Sequence, residues 1–437
     1  MTGTLPETLD TSDAARNNPG RAFAPALMNA VRDRFAHTDR CPITGKPRIF
    51  LESGGGSLKL KAAVERSAEI ALLPDQEGRD NDASRFLTGI IESGRQDLML
   101  YFGATAGQAI SGETGTELLH RFIRAVALVA PQGPVLSSTL EHPASRDAAL
   151  YWAEATGRRS YDISFDAGAA TVTPDDYARA VTADTRIATV IHTSQLTGFQ
   201  VDLPGIVRAI RAVAPDCYII VDGIQSAPHG PLRVDDYDCD AYVFSAYKAF
   251  SRLSTGFAWL SSRLSSLPHD RMHGKPQTYW EFGSRDPGIF AAHSAVVDYL
   301  CWLGDHFTER EDRRRRLLAG AAAMADHERA LLHLVLFGDE NAAGLIDIPV
   351  VSLIGPPQMA DRQGIVSFRL EGFASTALVR DLAALGIRVH ARVDDGYSGH
   401  ILRELGMDDC LRITFCHYNS PAEIRTLLRA LAEIAAR

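Results

Sequence analysis

Short apolar runs alternate with longer amphipathic segments between residue 97 and residue 294. The apolar runs are rich in Val, Ile, Tyr and Phe, which is typical of buried strands, and the segments between them are typical of helices. Helices are predicted, for example, at 144–156 and 204–213. The alternation indicates an α/β fold in which helices cover both faces of a parallel sheet. The predicted strands are 97–102, 134–138, 186–192, 217–221, 241–244 and 256–260.

The pattern changes after Ser294, where a long helical stretch at 295–334 begins. Strands are predicted beyond it at 364–370, 387–391 and 410–415, with a helix that ends at Leu385 and a last helix at the C-terminus. This order is typical of a smaller α+β unit. We therefore predict a large domain at residues 45–294 and a small domain formed by residues 1–44 and 295–437.

Two helix starts are marked by capping residues. Residues 173–176 read Thr-Pro-Asp-Asp, which offers an N-cap hydroxyl, a proline at the first helical position and an acid at the third. Residues 420–423 read Ser-Pro-Ala-Glu and match the same pattern. A packed helix is therefore predicted at the C-terminus.

Composition and charge exclude several classes of protein. The 437 residues are 46% hydrophobic and carry a formal net charge of -9, so no basic surface for nucleic acid is expected. No apolar stretch approaches the ~18 residues of a membrane span, and residues 1–18 lack the profile of an export signal. A cytoplasmic protein is expected. The six cysteines include no CxxC pair, so neither a metal site nor a disulfide framework is expected.

Polar residues that follow the strands of an open α/β sheet form its ligand crevice. One predicted strand leads into Asp222 and the next into Lys248. Alone, an Asp at a strand end is more often a helix cap or a turn former. Together, a carboxylate that keeps a pyridine nitrogen protonated and a lysine that forms an imine are the groups required by pyridoxal phosphate.

The sequence around these two residues resembles a known family. VDGIQSAPH at 221–229 followed by CDAYVFSAYK at 239–248 is similar to the signature of class-V aminotransferases, which include cysteine desulfurases, isopenicillin N epimerase and kynureninase. FLESGGGS at 50–57, Glu141-His142, the turn at 193–198 and FGSRDPG at 282–288 extend the resemblance. It covers Arg48 to the C-terminus. It implies the PLP-dependent transferase fold type I, with a mainly parallel seven-stranded sheet in the large domain and a smaller α+β C-terminal domain.

The resemblance also implies a role for individual residues. Lys248 would form the Schiff base with pyridoxal 5'-phosphate, Asp222 would pair with the ring nitrogen, and His142 would stack on the ring. These three are the predicted catalytic residues. The other predicted cofactor contacts are Thr105, Ala106, Gln195, Gln225, Ser245, Tyr247 and Ser284.

Two further expectations concern the substrate and the partner. Arg412 matches the family arginine that binds a substrate carboxylate through two parallel hydrogen bonds. Gly54, Gly55 and Arg392 are predicted to lie beside the substrate. Ser284 would reach the phosphate of the neighbouring chain, which implies a homodimer with shared active sites.

Departures from the family pattern bear on the reaction. Gln195 stands where many relatives have Asn, and Tyr247 stands where they have His before the lysine. The loop cysteine that carries a persulfide in desulfurases would fall near Ala391 or Arg392, and no cysteine is present there. Cys410 and Cys416 flank the Arg412 strand and are expected to be structural thiols.

The sequence leaves several functions open. The leading hypothesis is an enzyme that acts on a free amino acid by side-chain β-elimination, resembling a carbon-sulfur lyase without a protein persulfide, on a cysteine- or aspartate-like substrate. Transamination and epimerisation are alternatives because they begin with the same removal of the α-proton. A non-catalytic PLP-holding protein is a remote alternative. A nucleotide-binding protein is excluded, because Gly54-Gly55-Gly56 is not followed by a phosphate-loop motif.

Overall fold

The computed structural model describes residues 18–437. The first 17 residues, which include most of the polar segment interpreted above as lacking an export signal, lie outside the described part. The helices are α1 Pro25–Arg32, α2 Lys61–Ala71, α3 Asp82–Phe102, α4 Gly115–Val129, α5 Pro143–Ala155, α6 Pro174–Ala180, α7 Leu203–Val213, α8 Ser262–Ser265, α9 Pro287–Gly304, α10 Arg313–Phe337, α11 Ser375–Ala384, α12 Gly399–Glu404 and α13 Pro421–Ala435.

The strands are short and most of them are buried. They are β1 Ile49–Phe50, β2 Gln108–Gly112, β3 Val135–Ser138, β4 Ser160–Ile163, β5 Ile187–Ile191, β6 Tyr218–Asp222, β7 Ala241–Ser245, β8 Gly256–Leu260, β9 Gly338–Asp339, β10 Ala342–Ala343, β11 Val351–Leu353, β12 Ile365–Leu370, β13 Ile387–Arg388, β14 His390–Val393 and β15 Asp409–Thr414.

A seven-stranded sheet forms the centre of the molecule, with the strand order β2-β8-β7-β6-β5-β3-β4. Only β8 runs against its neighbours, so the sheet is mainly parallel, as predicted. Successive residues of β6 enter different cores: Ile219 and Val221 pack on one face, and Ile220 packs on the other. Both faces of the sheet are therefore covered, which explains why its strands are continuous apolar runs.

A four-stranded antiparallel sheet lies in the C-terminal part, with the order β11-β12-β15-β14. Leu411 and Ile413 of β15 enter a separate core with α11 and α13. Strand β1 joins this part of the molecule, because Ile49 pairs with Ile387 of β13. The predicted α+β character is present here, while the domain boundary at residue 294 falls inside α9 and stays a prediction.

Both capping boxes are confirmed. The Thr173 hydroxyl accepts from the amide of Asp176 at the start of α6, and the Asp176 carboxylate accepts from the amide of Thr173. Ser420 and Glu423 make the same reciprocal pair at the start of α13. Each box satisfies amides that the first helical turn leaves without an acceptor.

Some predicted elements are wrong. Residues 97–102 are the last turns of α3, not a strand, and their buried side chains Asp97, Leu98, Tyr101 and Phe102 follow helical spacing. A short apolar run does not distinguish a strand from a buried helical segment, and here the length of α3 decides. The stretch predicted as one helix at 295–334 is divided between α9 and α10. Strands β2 and β4 were not predicted, since small or polar residues dominate them.

None of the helices in residues 18–437 combines the length and the apolar character that crossing a membrane requires.

Candidate active site

Strand register brings the site to one edge of the large sheet. Asp222, the last residue of β6, pairs with Val243 of β7, and β7 ends two residues later at Ser245. Ser245 lies opposite Gly256 of β8, and Gly256 lies opposite Gly112, the last residue of β2. The carboxyl ends of three strands thus meet at the same edge. A pocket there is lined by seven of the predicted residues: His142, Gln195, Asp222, Gln225, Ser245, Tyr247 and Lys248.

Lys248 lies in the turn after β7, where its amide bonds to the carbonyl of Ser245. The residue is only 8% exposed. Burial lowers the pKa of the Lys248 amine, and the positive charges of Arg412 and Arg392 lower it further, while Asp222 opposes them. A lysine with a lowered pKa is more often neutral, and only the neutral amine can act as a nucleophile or accept a proton.

Asp222 is buried at the end of β6 and is 3% exposed. Its Oδ1 accepts a hydrogen bond from the amide of Ile224 at 3.0 Å. Burial raises the pKa of this carboxyl, and the Ile224 amide and the Lys248 charge oppose the shift. A buried carboxylate held in this way can stabilise a cation in the pocket, as the predicted role requires.

His142 caps α5, because its Nδ1 accepts from the amide of Ala144 at 3.0 Å. Burial, followed by the charges of Lys248 and Arg392, lowers its pKa to about 3. The imidazole is therefore neutral, and since Nδ1 accepts, its proton lies on Nε2. A neutral ring suits stacking against a flat ligand. Glu141 lies behind it, fully buried, with its carboxylate held by Ser145 and the amide of Ile191.

Unsatisfied polar atoms converge on the pocket. Both side-chain amide atoms of Gln195 and the Thr193 hydroxyl are buried and have no hydrogen-bond partner among residues 18–437. Buried polar atoms without a partner are costly, so a native protein that retains them has a ligand or solvent to satisfy them. Together with Asp222 and Lys248, they fit a flat polar ring such as the pyridine of pyridoxal phosphate.

The start of α4 offers a place for the phosphate. Thr116 lines the pocket beside Ser245. A Cβ at Gly115 would approach the Ser245 hydroxyl to 2.7 Å, so glycine lets the helix start come close to that side chain. Amides at the first turn of a helix and a hydroxyl beside them suit a dianionic phosphate. Pyridoxal phosphate therefore fits this pocket at both its ring and its phosphate.

The structure does not place Thr105 and Ala106, two of the predicted cofactor contacts, at this pocket. Because α3 runs to Phe102, these residues connect a helix to the beginning of β2 instead of following a strand. Strand β2 then separates them from the pocket edge by roughly 13 Å. The Thr105 hydroxyl and amide bond to Asp235, and the residue is exposed.

Sequence reasoning missed residues 114–116, although a signal was present. Thr114-Gly115-Thr116-Glu117 is a Thr-x-x-Glu helix start before an apolar run. In the structure the Thr114 hydroxyl accepts from the amide of Glu117 at 3.0 Å. With this helix start recognised, strand β2 and the candidate phosphate site at the start of α4 could have been predicted.

Arg412 enters the same region from β15 and is 3% exposed. Its Nη1 donates to the carbonyl of Gln195 at 2.7 Å, while its Nε is buried without a partner. Burial and the neighbouring Arg392 lower its pKa to about 10. Arg412 has no ion pair with a carboxylate within residues 18–437. It is thus a buried cation available to a ligand carboxylate.

The glycine turn at 53–55 lies against Arg412. A Cβ at Gly54 would meet the Thr414 methyl at 2.9 Å and the Arg412 guanidinium at 3.4 Å. The carbonyl of Gly54 accepts from the side chain of Gln225 at 3.0 Å. Gly55 lies beside the side chain of Glu52. A side chain at Gly54 would therefore fill the space in front of the guanidinium.

The structure also locates residues whose roles were open. Arg285 pairs with Glu113, and Asp286 pairs with Arg252. Ser284 is exposed and does not line the pocket of its own chain. Its role toward a neighbouring chain stays a prediction.

His229 makes a structural contact. Its Nδ1 lies 2.7 Å from the Glu328 carboxylate, and Cys416 is close by. The other Glu328 oxygen accepts from the amide of His417 at 2.9 Å. The group is buried and hydrogen-bonded within the protein, as expected for a contact between packed elements.

No cysteine lines the pocket in the described chain. Cys410 and Cys416 are 0% and 1% exposed. Burial raises the pKa of Cys410 to about 12 and that of Cys416 well above its usual value. Cys41 differs, because hydrogen bonds from the Thr44 side chain and the backbone lower its pKa to about 7. It lies in a partly exposed turn at 41–46, not at the pocket.

Comparisons with known proteins agree with this architecture. The profile of the family described as aminotransferase class-V matches residues 49–275 and 317–427, more than half of the chain. An aminotransferase-like protein from Gibberella zeae is 24% identical over 92% of this chain and 96% of its own length. A probable cysteine desulfurase from Pseudomonas putida is 24% identical over 95% and 97%. A cysteine desulfurase-like protein from Aspergillus flavus is 23% identical over 96% and 94%.

Solved structures show the same fold. The cysteine desulfurase CsdA from Escherichia coli matches with a TM-score of 0.74 and 21% identity, over 95% of this chain and 99% of that chain. An apo cysteine desulfurase from Thermococcus onnurineus matches with a TM-score of 0.78 and 18% identity, also over 95% and 99%. At these identities the likeness describes the fold and leaves the reaction open.

Proposed function

We propose that this chain, which belongs to the class-V aminotransferase family, removes a side-chain group from a free amino acid by β-elimination without a protein persulfide. The family depends on pyridoxal phosphate, and the chain is a PLP-dependent enzyme. The finer reaction is the proposal. One observation carries it: among the described residues, Lys248 lines a pocket that contains no thiol, and the buried Arg412 lies close enough for its charge to lower the pKa of Lys248.

Arg412 and Lys248 have different roles toward the substrate. Arg412 is buried and has a free Nε, so it can hold the α-carboxylate of an amino acid in a planar contact. This contact fixes the direction of the Cα–H bond. The Lys248 amine, whose pKa is lowered, can then take the proton from Cα.

The remaining residues maintain the environment for this proton transfer. When bound, pyridoxal phosphate supplies a ring that withdraws the electrons left at Cα. Asp222 would keep a proton on the ring nitrogen, and its burial strengthens that interaction. His142 would cover one face and exclude water. The side chain of Gln195 has both amide atoms free to bind polar groups at the ring edge.

The first test concerns Lys248. The purified protein should be yellow, and Lys248→Ala should abolish turnover while the fold stays intact, because proton transfer from Cα depends on this amine. Activity would be measured as release of ammonia, keto acid or sulfide from a panel of amino acids. Lys46→Ala, at an exposed position, is the control and should retain full activity. A colourless protein or an active Lys248→Ala variant would refute the assignment.

The same assay separates elimination from its alternatives. Elimination should release ammonia and a keto acid in equal amounts without an added keto acid. A reaction that proceeds only with an added keto acid would show transamination, and loss of optical activity without ammonia would show epimerisation.

The second test concerns the cysteines. Cys410→Ser, Cys416→Ser and Cys41→Ser should each retain activity, because none of these thiols lies at the pocket. The Cys41→Ser variant is the strictest test of the three, because the Cys41 thiol has a lowered pKa and is partly exposed. If one variant lost all activity while it still bound cofactor, a protein persulfide would have to be considered again.

A further inference from the structure

Arg412, which is buried, and Arg392, which is half-buried, lie near the pocket, and one carboxylate on the substrate satisfies only Arg412. We infer that Arg392 binds a second anionic group, so that the substrate is an amino acid whose side chain carries a carboxylate or sulfinate in addition to the group that leaves from Cβ. This inference rests on the proposed function, in which Arg412 holds the α-carboxylate.

Strand register places both arginines on the same face of the small sheet. His390 lies opposite Arg412, and Arg392 lies opposite Cys410, in the antiparallel pair of β14 and β15. Residues directly opposite share a face, as do residues two positions apart along one strand. Arg392 and Arg412 are therefore diagonal neighbours, with Cβ atoms about 7 Å apart.

This shared face lies toward the pocket, and the other face of the four-stranded sheet packs into the separate core with α11 and α13. Arg412 donates to the carbonyl of Gln195, and Ser367, on the neighbouring strand, donates to the carbonyl of Leu196. The opposite face of β15, with Leu411 and Ile413, packs into the small core. Both guanidinium groups thus lie on the side where Gln195 and Lys248 line the pocket.

Arg392 has no anionic partner in the part of the chain that the structure describes. It forms neither an ion pair nor a side-chain hydrogen bond within residues 18–437, and its Nε is buried without a partner. Asp395 is the carboxylate whose charge acts on it, but the Asp395 Oδ1 accepts from the amides of Tyr397 and Ser398. A partly buried cation without a counter-charge costs free energy that an anionic ligand would recover.

The charge of Arg392 reaches the reacting groups. It lowers the pKa of His142, Lys248 and Arg412, after the effect of burial. Its position is therefore that of a group beside the substrate. The opposite edge of the ring pocket, at Ser245 and the start of α4, offers amides and a hydroxyl to the cofactor phosphate, so that phosphate does not need Arg392.

The experiment compares amino acids that differ in side-chain charge. Holoenzyme would be titrated with L-aspartate, L-cysteine sulfinate, L-asparagine and L-alanine, and binding would be followed by the change in cofactor absorbance. The variants are Arg392→Gln and Arg392→Lys. The control is Arg403→Gln, because Arg403 is exposed and pairs with Asp394 in the same loop region. Melting temperature and PLP affinity would be measured for each variant.

The expected result is selective. Wild-type protein should bind at least one of the two acidic amino acids more tightly than L-asparagine and L-alanine. Arg392→Gln should weaken that binding by roughly 30-fold or more, Arg392→Lys by less, and L-alanine binding should not change. The two acidic probes separate a carboxylate from a sulfinate. Arg403→Gln should behave as wild type, and PLP affinity should be the same in all proteins.

Several outcomes would overturn the inference. Equal weakening of all four ligands, unchanged binding of the acids, or a loss of PLP affinity in Arg392→Gln would each assign Arg392 another role. A wild-type protein that responds to L-alanine as strongly as to both acids would refute the inference and leave the proposed function standing. A holoenzyme that responds to no amino acid would refute the proposed function itself.

Discussion

Lys248 shows how burial and neighbouring charges prepare one side chain for chemistry. A buried ammonium is disfavoured because it loses its hydration, and two arginines nearby disfavour it further. Asp222 acts in the opposite direction, although burial raises the pKa of its own carboxyl. The balance makes the neutral amine more available than it is in a free lysine. These pKa shifts could not be predicted from the sequence, because they depend on burial and on charges from distant parts of the chain.

Arg412→Lys tests the recognition of the α-carboxylate. A guanidinium can make two parallel charge-assisted hydrogen bonds, whereas an ammonium offers a point charge, so substrate affinity should fall. The expected cost is ~2 to 5 kcal/mol, with little change in cofactor absorbance. Affinity would be measured by titration with the substrate found in the amino-acid screen.

The control for Arg412 is Arg425→Lys. Arg425 pairs with Asp339 on the surface, at 2.8 Å, and lies in α13. This change should affect neither substrate affinity nor cofactor binding. If Arg412→Lys lowered the melting temperature and left substrate affinity intact, Arg412 would have only a structural role.

At the scale of elements, the turn at 193–198 fixes the position of Gln195. Gly198 has a φ of 78°, and its missing Cβ lets the turn approach β12, since a Cβ would lie 2.1 Å from the carbonyl of Ile365. The Ser194 hydroxyl accepts from the amides of Leu196 and Thr197 inside the turn. The turn thus connects the two sheets at the pocket.

Gly198→Ala should therefore damage both stability and the pocket. The added methyl cannot fit without movement of β12 or the turn, and we expect a loss of about 1 to 3 kcal/mol in the free energy of unfolding. PLP affinity should fall as well, because Gln195 moves with the turn. Denaturant unfolding and cofactor titration would measure the two effects.

Gly274→Ala is the matched control for this element. Gly274 has a φ of 86°, but a Cβ there would meet no atom within 4 Å. This variant shares the backbone strain without the clash. Its PLP affinity should equal that of the wild type. If the Gly198→Ala protein were as stable as the Gly274→Ala protein, β12 would have moved to make room for the methyl group without a loss of stability.

At the scale of the whole molecule, the position of Ser284 predicts a homodimer. Ser284 is exposed and does not line the pocket of its own chain, although the family resemblance places it at the cofactor phosphate. Ser284 could reach the cofactor phosphate of a second chain in a homodimer. Sedimentation should show a dimer, and Ser284→Ala should weaken PLP binding by about tenfold, the usual value of a hydrogen bond to a charged group.

Ser266→Ala is the control for Ser284. Ser266 is also exposed, but its hydroxyl donates to the carbonyl of Ser262 within its own chain. Its removal should not change PLP affinity. A monomer with full activity would contradict the shared site, and a dimer unaffected by Ser284→Ala would assign the phosphate to residues of one chain.

The sequence by itself determined the class of fold and the centre of the site. Strands β3, β5, β6, β7 and β8 follow local apolar runs, and both capping boxes follow local spacing, so each was predictable from neighbouring residues. Asp222 and Lys248 were predictable for the same reason, because each terminates or follows such a strand. At 97–102 the local pattern was ambiguous, and the predicted strand was wrong. Because of that error, Thr105 and Ala106 were predicted to follow a strand and to contact the cofactor.

Only the tertiary structure decided which distant residues meet. The start of α4 reaches Ser245 because β2 and β7 both pair with β8. Arg392 and Arg412 share a face because β14 pairs with β15 in one particular register, and a shift of one residue would turn Arg392 to the other side. Pairing between strands depends on contacts across the whole chain, whereas periodicity depends on neighbours, so the sequence pattern could predict the elements but not the pocket that they enclose.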